Sequence, residues 1–588
     1  SRMVRECPPY LISRDNNEVL DRFSVARALR EIASLMQVEG ANPFKVRAYE
    51  RGARALEGMP EDLGTLVREG RLTSVPGIGS ALASTITELF QTGRSPQLDR
   101  LREKLPPGVV ELSQVLSTAK VGTLHRALGI SSLADLETAA RAGRIRDVKG
   151  FGAKTEQKIL ADIEALRTRG TEILLHEATR EGDALLAHLR ASPAVARAEI
   201  AGALRRRRET IDRLVAVSAV EKGMAEDALD HAARYPAAVT VLERDATRIV
   251  MRLPDGLNAE VHVPPAARFA TTWHWLTGTE GHLAKLKVVA EARGLEMDED
   301  GLTRGGRRVS VKEEADIYRE LELPFIEPEL REDEGEVEAA VTGTLPTDLL
   351  RVEDVQGLVH CHTHYSDGKN SVEEMARGAD ALGMKYMTIT DHSPTAFYAN
   401  GLPLDRLKRQ WEDIAKAQEK VKVRLLRGTE SDILADGSLD YPDEVLGQLD
   451  VIVASVHNRH KMDADQMTRR IVAAMRRPQF KIWGHALGRY VLTRPPFAVH
   501  MEKILDAVAE SRAAIEINGD PHRLDMEPRW VRMARTRGIP FVISTDAHSV
   551  NALRNVRWGV DMARRGWLTK AEVLNTRGVE EFRQAVRP

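Results

Sequence analysis

The sequence predicts a multidomain protein with a helical amino-terminal region, a mixed α+β middle and a carboxy-terminal α/β barrel of parallel strands. Three observations carry this. The 588 residues are too many for one hydrophobic core, because single cores rarely grow beyond roughly 250 to 300 residues. Apolar residues in the first third recur three and four apart, the spacing of amphipathic helices. From Gly357 onward, short apolar runs alternate with helical segments, and each run stops in a histidine or a carboxylate.

Composition narrows the function classes. Hydrophobic residues at 43% and charged residues at 29% are those of a globular chain. No run of about 18 apolar residues is present to cross a bilayer, so no membrane partner is expected. The two cysteines, Cys7 and Cys361, are too few and too far apart for a disulfide framework or a structural zinc site. That fits a reducing cytoplasm, and no signal peptide is apparent. A net charge of -2 excludes a polycation, so nucleic-acid binding must come from local patches or backbone amides.

In the helical region, NNEVLDRFSVARALREIASLMQVEG, from Asn16, has the period of an amphipathic helix. LTSVPGIGSALASTITELF follows, with Pro76, Gly77, Ile78 and Gly79 in a tight turn and a helix from about Ser80. DVKGFGAKTEQKILADI repeats the arrangement, with Gly150, Phe151 and Gly152 in the turn and Lys154 just inside the helix. Glycines there let the backbone approach a phosphate oxygen, and the helix start aims unpaired N–H groups at it. Two copies make a helix-hairpin-helix signature, whose phosphate contacts position a duplex without reading its sequence. The expected DNA contacts are Gly77, Gly79, Gly150, Gly152 and Lys154.

From about Glu172 strands appear. ARAEIAGALRRRRETIDRLVAVSAV sets Gly202 in a turn after a strand, then Arg205 to Arg208 as a local positive patch, then another strand. YPAAVTVLERDATRIVMRLPDGLNAEVHVPP reads as strands joined at a turn of Pro254, Asp255 and Gly256. This order, followed by WLTGTEGHLAKLKVVAEARG and LPFIEPELREDEGEVEAA, resembles a bacterial family X DNA polymerase along nearly the whole chain. The resemblance implies two helical domains over 16–98 and 99–171, the second fingers-like. It further implies an α+β nucleotidyltransferase-like palm over 172–264, a thumb over 265–340 and a linker over 341–356.

The palm has a fault. Nucleotidyl transfer needs two divalent ions about 3.5 to 4 Å apart, held by carboxylates from adjacent strands. The family places an Asp-x-Asp pair after the Arg-Arg turn and a third Asp on a later strand. Ungapped alignment puts Arg213 and Val215 at the paired positions, and a one-residue shift recovers only Asp212, with Leu214 in the second place. Glu260 takes the third place, and Ala203 replaces a serine beside the triphosphate. Gly202, Arg205, Arg206, Thr277 and Gly278, with Thr279, remain of the nucleotide site. An arginine where two cations must sit predicts a degenerate palm, with magnesium and a deoxynucleoside triphosphate bound there only if it is active. Ser84 and Thr85 stand where lyase-competent relatives carry a Schiff-base lysine, so no imine with an abasic sugar is expected.

Ten of the 17 histidines fall after Gly357. The useful ones, with carboxylates, occur at strand ends in LVHCHTHYSDG, MTITDHS, LLRGTESDIL, VIVASVHN, IWGHALGR and FVISTDAHS, where a parallel barrel collects its functional residues. His360 and His362, two apart on a strand, project to one face. With Asp367, His392, Glu430, His457, His485, Asp546 and His548 they make nine candidate metal ligands. Imidazole and carboxylate without thiolate suit zinc, manganese or iron, and nine ligands exceed the demand of one ion. Two or three divalent ions are therefore expected. Such a cluster can activate water, hold a phosphate and stabilise a leaving oxygen, which makes a phosphoesterase. Arg459 and Arg489 follow histidine strands and are expected to hold the substrate phosphate. His364, His460, His500 and His522 are read as ordinary core or surface residues.

The order of these motifs resembles the polymerase and histidinol phosphatase (PHP) domain, over 357–588. The resemblance implies a distorted (β/α)7 barrel, a trinuclear site on those nine residues and Glu430 as its bridge. Leu358 departs from it, standing where many members carry an acidic residue. The function expected is a 3′ to 5′ DNA exonuclease or phosphodiesterase, with abasic-site cleavage in base excision repair as a second role. The chain is expected to be a cytoplasmic monomer that takes gapped or nicked DNA. Two alternatives stay open: a working DNA polymerase with proofreading, in which Asp212 and Glu260 suffice, and a small-molecule phosphatase of the histidinol phosphate type.

Overall fold

The structure, a computed structural model, describes residues 22–588 apart from 40, 59–62, 76, 93, 105–111, 113–114, 170–171 and 254–255. Cys7, the helix start expected at Asn16, Pro76, and Pro254 and Asp255 of the later turn lie outside the described residues. The chain forms two compact units, Ser1–Gly170 and Thr171–Pro588. Among the described residues no helix is long and apolar enough to cross a membrane.

The first unit is helical. Its apolar stripes meet in one core that runs from Val25 to Ile163, so the segments 16–98 and 99–171, expected as separate domains, share a single core. The two glycine turns are built alike. Gly77 and Gly150 each take φ +94°, a left-handed conformation that favours glycine. The next residue, Ile78 or Phe151, is buried, and its N–H donates to Val75 or Val148 at 3.0 Å. A Cβ built on Gly79 or Gly152 would meet nothing within 4 Å, so the backbone at each second glycine is open to a ligand. Helices Ser80–Thr92 and Ala153–Arg169 start immediately afterwards.

The second unit opens with a five-stranded sheet of β1 (Val195–Ala201), β2 (Arg213–Val220), β3 (Thr240–Arg244), β4 (Arg248–Arg252) and β5 (Asn258–His262), in the order β1-β2-β5-β4-β3. β2 and β5 run parallel, with Val215 opposite Glu260. Helices and a three-stranded sheet from Ala270 onward form a smaller core that reaches Leu345 and Leu349. Leu350 and Val355 join the next core, so the expected linker is packed. Seven parallel strands then close a barrel in sequence order: β6 (Gly357–Cys361), β7 (Tyr386–Ile389), β8 (Arg424–Asp432), β9 (Val451–Ser455), β10 (Ile482–Trp483), β11 (Ala514–Asn518) and β12 (Phe541–Ala547). Each parallel connection carries the chain back over the barrel, which gathers the strand ends on one rim.

Arg205 to Arg208 require a correction, because they form ion pairs inside the unit and not an open positive patch. Arg205 forks onto Glu314 at 2.8 and 2.5 Å, while Arg206 and Arg208 share Glu332 at 2.9 and 3.2 Å. Arg207 lies 3.8 Å from Asp561. The acidic segment from Glu327 to Glu338 is pinned from the barrel side as well, with Arg564 donating to Glu329 at 2.8 Å and Arg532 paired with Glu334.

Glu209 completes this seam. It accepts from Arg565 and, at 3.3 Å, from Arg489. Burial would raise its pKa, but Arg565 and then Arg489 outweigh burial and hold it at about 2. Glu209→Ala strands two buried guanidinium groups and should cost about 3 kcal/mol, read as a lower urea midpoint at pH 7. A depressed carboxylate stabilises above its ordinary value of 4.5 and loses that contribution as the pH falls towards about 2. The difference between the two proteins should therefore close as the pH drops below 4.5.

Candidate metal centre

The nine expected ligands collect at the carboxy-terminal rim of the barrel. His360 lies in β6, Glu430 in β8 and Asp546 in β12, while His362, His392, His457, His485 and His548 sit within three residues past a strand end. Asp367 comes from the loop after β6. The register of β6 slips around His360, which takes φ +64°. Bulges with such backbone re-aim side chains next to functional sites. The His360 and His362 ring centroids are 5.1 Å apart. Asp391 fastens the following loop by accepting from the Thr363 N–H at 2.7 Å and its hydroxyl at 2.6 Å.

Glu430, 1% exposed, is the hub. Its Oε2 lies 3.3 Å from His360 Nε2, 3.6 Å from His362 Nε2 and 2.9 Å from His392 Nδ1. Its Oε1 lies 3.1 Å from His457 Nε2 and 2.8 Å from His485 Nε2. Asp546 Oδ1 is 3.7 and 3.4 Å from Nε2 of His360 and His362. Asp367 Oδ1 is 3.3 Å from His548 Nε2 and 3.7 Å from His392 Nε2. Ligand atoms within 4.8 Å of one another form three groups: His360, His362 and Glu430; His392, Glu430 and His457; and His362, Asp367, His392 and His548.

The donor set fits divalent cations. His360 Nε2, both nitrogens of His362, His392 Nδ1 and His485 Nδ1 are buried without a hydrogen-bond partner among the described residues. Buried polar atoms are ordinarily satisfied, and imidazole nitrogens facing carboxylates are what such cations take. Electrostatics point the same way. Burial would raise Glu430 and Asp367, but the imidazoles hold Glu430 well below the usual carboxylate range and, His548 foremost, Asp367 at about 2. Burial would lower His457 and His548, yet Glu430 and Asp432 raise His457 to about 9, and Asp367 and Asp546 raise His548 to about 9. Burial together with His548 and His392 lowers His362 to about 4.

Two orienting carboxylates escaped the sequence reading. Glu516 Oε1 lies 2.5 Å from His360 Nδ1, and its other oxygen accepts the His485 N–H. Asp432 pairs with His457 Nδ1. Each keeps a proton on Nδ1 and leaves Nε2 facing Glu430.

Family models match four stretches of the chain. They are a helix-hairpin-helix domain over residues 21–95, a SAM-like helix-hairpin-helix tandem over 118–165, a DNA polymerase beta thumb over 272–332 and a PHP domain over 359–520. The chain is 31% identical over 569 residues to the DNA polymerase/3'-5' exonuclease PolX of Bacillus subtilis, covering 96% of this chain and 98% of that one. The chain belongs to the bacterial family X DNA polymerases that carry a PHP domain. Probable phosphatases of Thermoanaerobacter sp. and Caldanaerobacter subterraneus are each 27% identical to it, over 37% and 32% of this chain and 89% and 74% of their own.

In this family X chain the palm positions converge, but among the described residues they form no metal cluster. Arg213, Val215 and Glu260 meet on β2 and β5, but Glu260 faces His262 at 2.8 Å, Arg248 at 3.1 Å and Arg213 at 3.8 Å. Val215 is buried beside Gly202, and Asp212 is exposed. Arg205 donates to the Thr277 hydroxyl at 2.9 Å and Arg206 to its carbonyl at 2.6 Å, while Gly278 lies against His282. Among the described residues, all three groups able to hold an ion are on the barrel.

The arginine expectations divide. Arg489 is corrected: its guanidinium is taken by the Arg523 and Leu524 carbonyls and by Glu209. Arg523, missed in the sequence, lies against the site instead, with Nε 3.2 Å from Asp546 Oδ2 and a buried Nη1 without a hydrogen-bond partner among the described residues. Arg459 is exposed two residues past His457 and lines an open cavity. Lys154 is exposed at its helix start. His364, His500 and His522 are not in any of the three groups, and His460 stacks on Phe497.

Protons held on His457 and His548 compete with cations. Manganese binding at pH 7 should release protons, and its affinity should rise from pH 6 towards about 9. Calorimetry in buffers of different ionisation enthalpy measures both. Asp432→Ala, which frees the His457 ring, should weaken binding by about 10- to 100-fold.

Proposed function

We propose that the protein is a metal-dependent DNA phosphodiesterase that shortens strands from their 3′ ends on a polymerase scaffold that no longer polymerises. The observation that carries this is the convergence of nine ionisable side chains, the buried Glu430 at their centre, on one rim of the barrel. The Bacillus relative, named a DNA polymerase/3'-5' exonuclease, supports the reaction class across almost the whole chain.

His360, His362 and Asp546 would hold one cation, His457 and His485 a second, and Asp367, His392 and His548 a third, with Glu430 within reach of the first two sets. Zinc, manganese and iron suit this set of nitrogen and oxygen donors. Such ions supply a polarised phosphate and an activated water. Glu516 and Asp432 fix the ring tautomers, and Arg523 offers its free Nη1 donor to a phosphate oxygen. The glycine turns at Gly77 to Gly79 and Gly150 to Gly152, with Lys154, hold backbone phosphates of gapped or nicked DNA. A monomer acting in cytoplasmic DNA repair, with abasic-site cleavage as a second activity, completes this reading.

The palm is read as inactive because Arg213 and Arg248 already neutralise Glu260. Triphosphate and magnesium are not substrates of this reading. A small-molecule phosphatase leaves the two phosphate-gripping turns without a role, and the probable phosphatases match only 37% and 32% of the chain.

With manganese and a 5′-labelled primer on a gapped template, the wild-type protein should shorten the primer and, given all four nucleotides, not extend it. Asp546→Asn should reduce shortening at least about 100-fold while DNA binding by gel shift is retained. Extension that is lost in Glu260→Ala would assign polymerisation to the palm.

A further inference from the structure

Beside the metal centre the barrel carries two features that the ligand set does not use. The first is an open cavity of about 680 Å³ lined by Arg459, Lys461, Arg469 and Arg470 and by one carboxylate, Asp436. Asp436 is occupied by the N–H and hydroxyl of Ser438. Arg470, 2% exposed, forms the fixed floor: its guanidinium donates to the carbonyls of Ile433, Leu434 and Asn458 and meets no carboxylate. Arg459, Lys461 and Arg469 are exposed and form no ion pair among the described residues. In a chain whose arginines are so widely paired, four cations around one occupied carboxylate are a concentrated positive potential.

The cavity is joined to the site. Asn458 Oδ1 accepts from Arg470 at 3.0 Å and its Nδ2 donates to Asp432 at 3.2 Å, and Asp432 holds His457. Arg459 follows His457 by two residues, a span of at most about 7 Å.

The second feature is Tyr398. It is 66% exposed, yet its ring centroid lies 6.2 Å from that of His457 and 6.3 Å from that of His392. Phe397, next to it, is 84% exposed. Large aromatics left in water beside a hydrolytic site have a cost in solvation and a use in stacking.

Cations that track a phosphate backbone together with aromatics that stack bases are the two parts of a single-strand binding site. We propose that they form a track for unpaired DNA across the rim: Tyr398 and Phe397 stack nucleobases near the scissile position, and the Arg459–Lys461–Arg469 cavity takes the neighbouring backbone phosphates. The inference rests on the nuclease reading above and adds to it the side chains that grip the unpaired strand, without regard to base identity.

The test uses the full chain with manganese and two substrates, a single-stranded oligonucleotide and methyl p-nitrophenyl phosphate, which offers a phosphodiester without base or neighbouring phosphate. Lys461→Glu combined with Arg469→Glu should raise KM for the oligonucleotide about tenfold and flatten its logarithmic salt dependence by about 1.4. Tyr398→Ala should raise that KM about tenfold, and Tyr398→Phe should restore it. All variants should match the wild type on the small diester, and Arg476→Glu, at the C-cap of the helix Ala464–Met475 that carries Arg469 but outside the cavity, should match it on both. Unchanged oligonucleotide KM in the charge and tyrosine variants, or equal loss on both substrates, overturns the track. Thymidine monophosphate inhibiting the wild type far more than the charge variant, with oligonucleotide KM unmoved, assigns the cavity to released product and also overturns it. If the wild type cleaves the small diester but no DNA, both the track and the nuclease reading fall.

Discussion

One buried carboxylate organises the catalytic half of the molecule. Glu430 is almost fully removed from water, and ionised it would be costly there without compensation. Five imidazoles from the ends of four barrel strands surround it, and the rings of His360 and His457 are in turn held by Glu516 and Asp432. The closed parallel barrel is the device that makes this possible, since it brings residues nearly 200 positions apart to one rim. Seen this way, the slipped register and left-handed backbone at His360 are a local cost that the site requires.

The same principle, applied with the signs exchanged, accounts for the palm. Where two metal ions would need converging carboxylates, arginines from β2 and β4 close on Glu260. The four arginines that follow Gly202 are likewise spent within the protein, on Glu314, Glu332 and Asp561. Glu209 then reaches Arg489 and Arg565 of the barrel. Arg489 braces the backbone of Arg523, whose side chain meets Asp546. The palm thus contributes stability to the segment beside the metal centre through charge pairs within one compact unit.

Much of this was legible in the sequence because its signals are local. A histidine or carboxylate ending a short apolar run locates a strand end, and six such runs in order mark six of the seven barrel strands and all nine ligands. The two glycine turns are visible for the same reason. Glu516 was hidden because AIEIN reads as an ordinary buried strand, and only closure of the barrel sets its carboxylate against His360. Arg523 and Arg489 could not be told apart, since both follow histidines or loops and their partners are distant carbonyls and carboxylates. Arg205 to Arg208 looked like a free patch because their acidic partners lie about 100 to 350 residues away. The shared helical core was equally invisible, as helical periodicity fixes which face is apolar and not what covers it.

The most direct measurement is anomalous diffraction at the manganese edge from crystals grown with that ion. The account predicts peaks within coordination distance of the nine barrel residues, two of them sharing Glu430, and none beside Glu260. Peaks confined to the palm, or a barrel rim without any under saturating manganese, would contradict it.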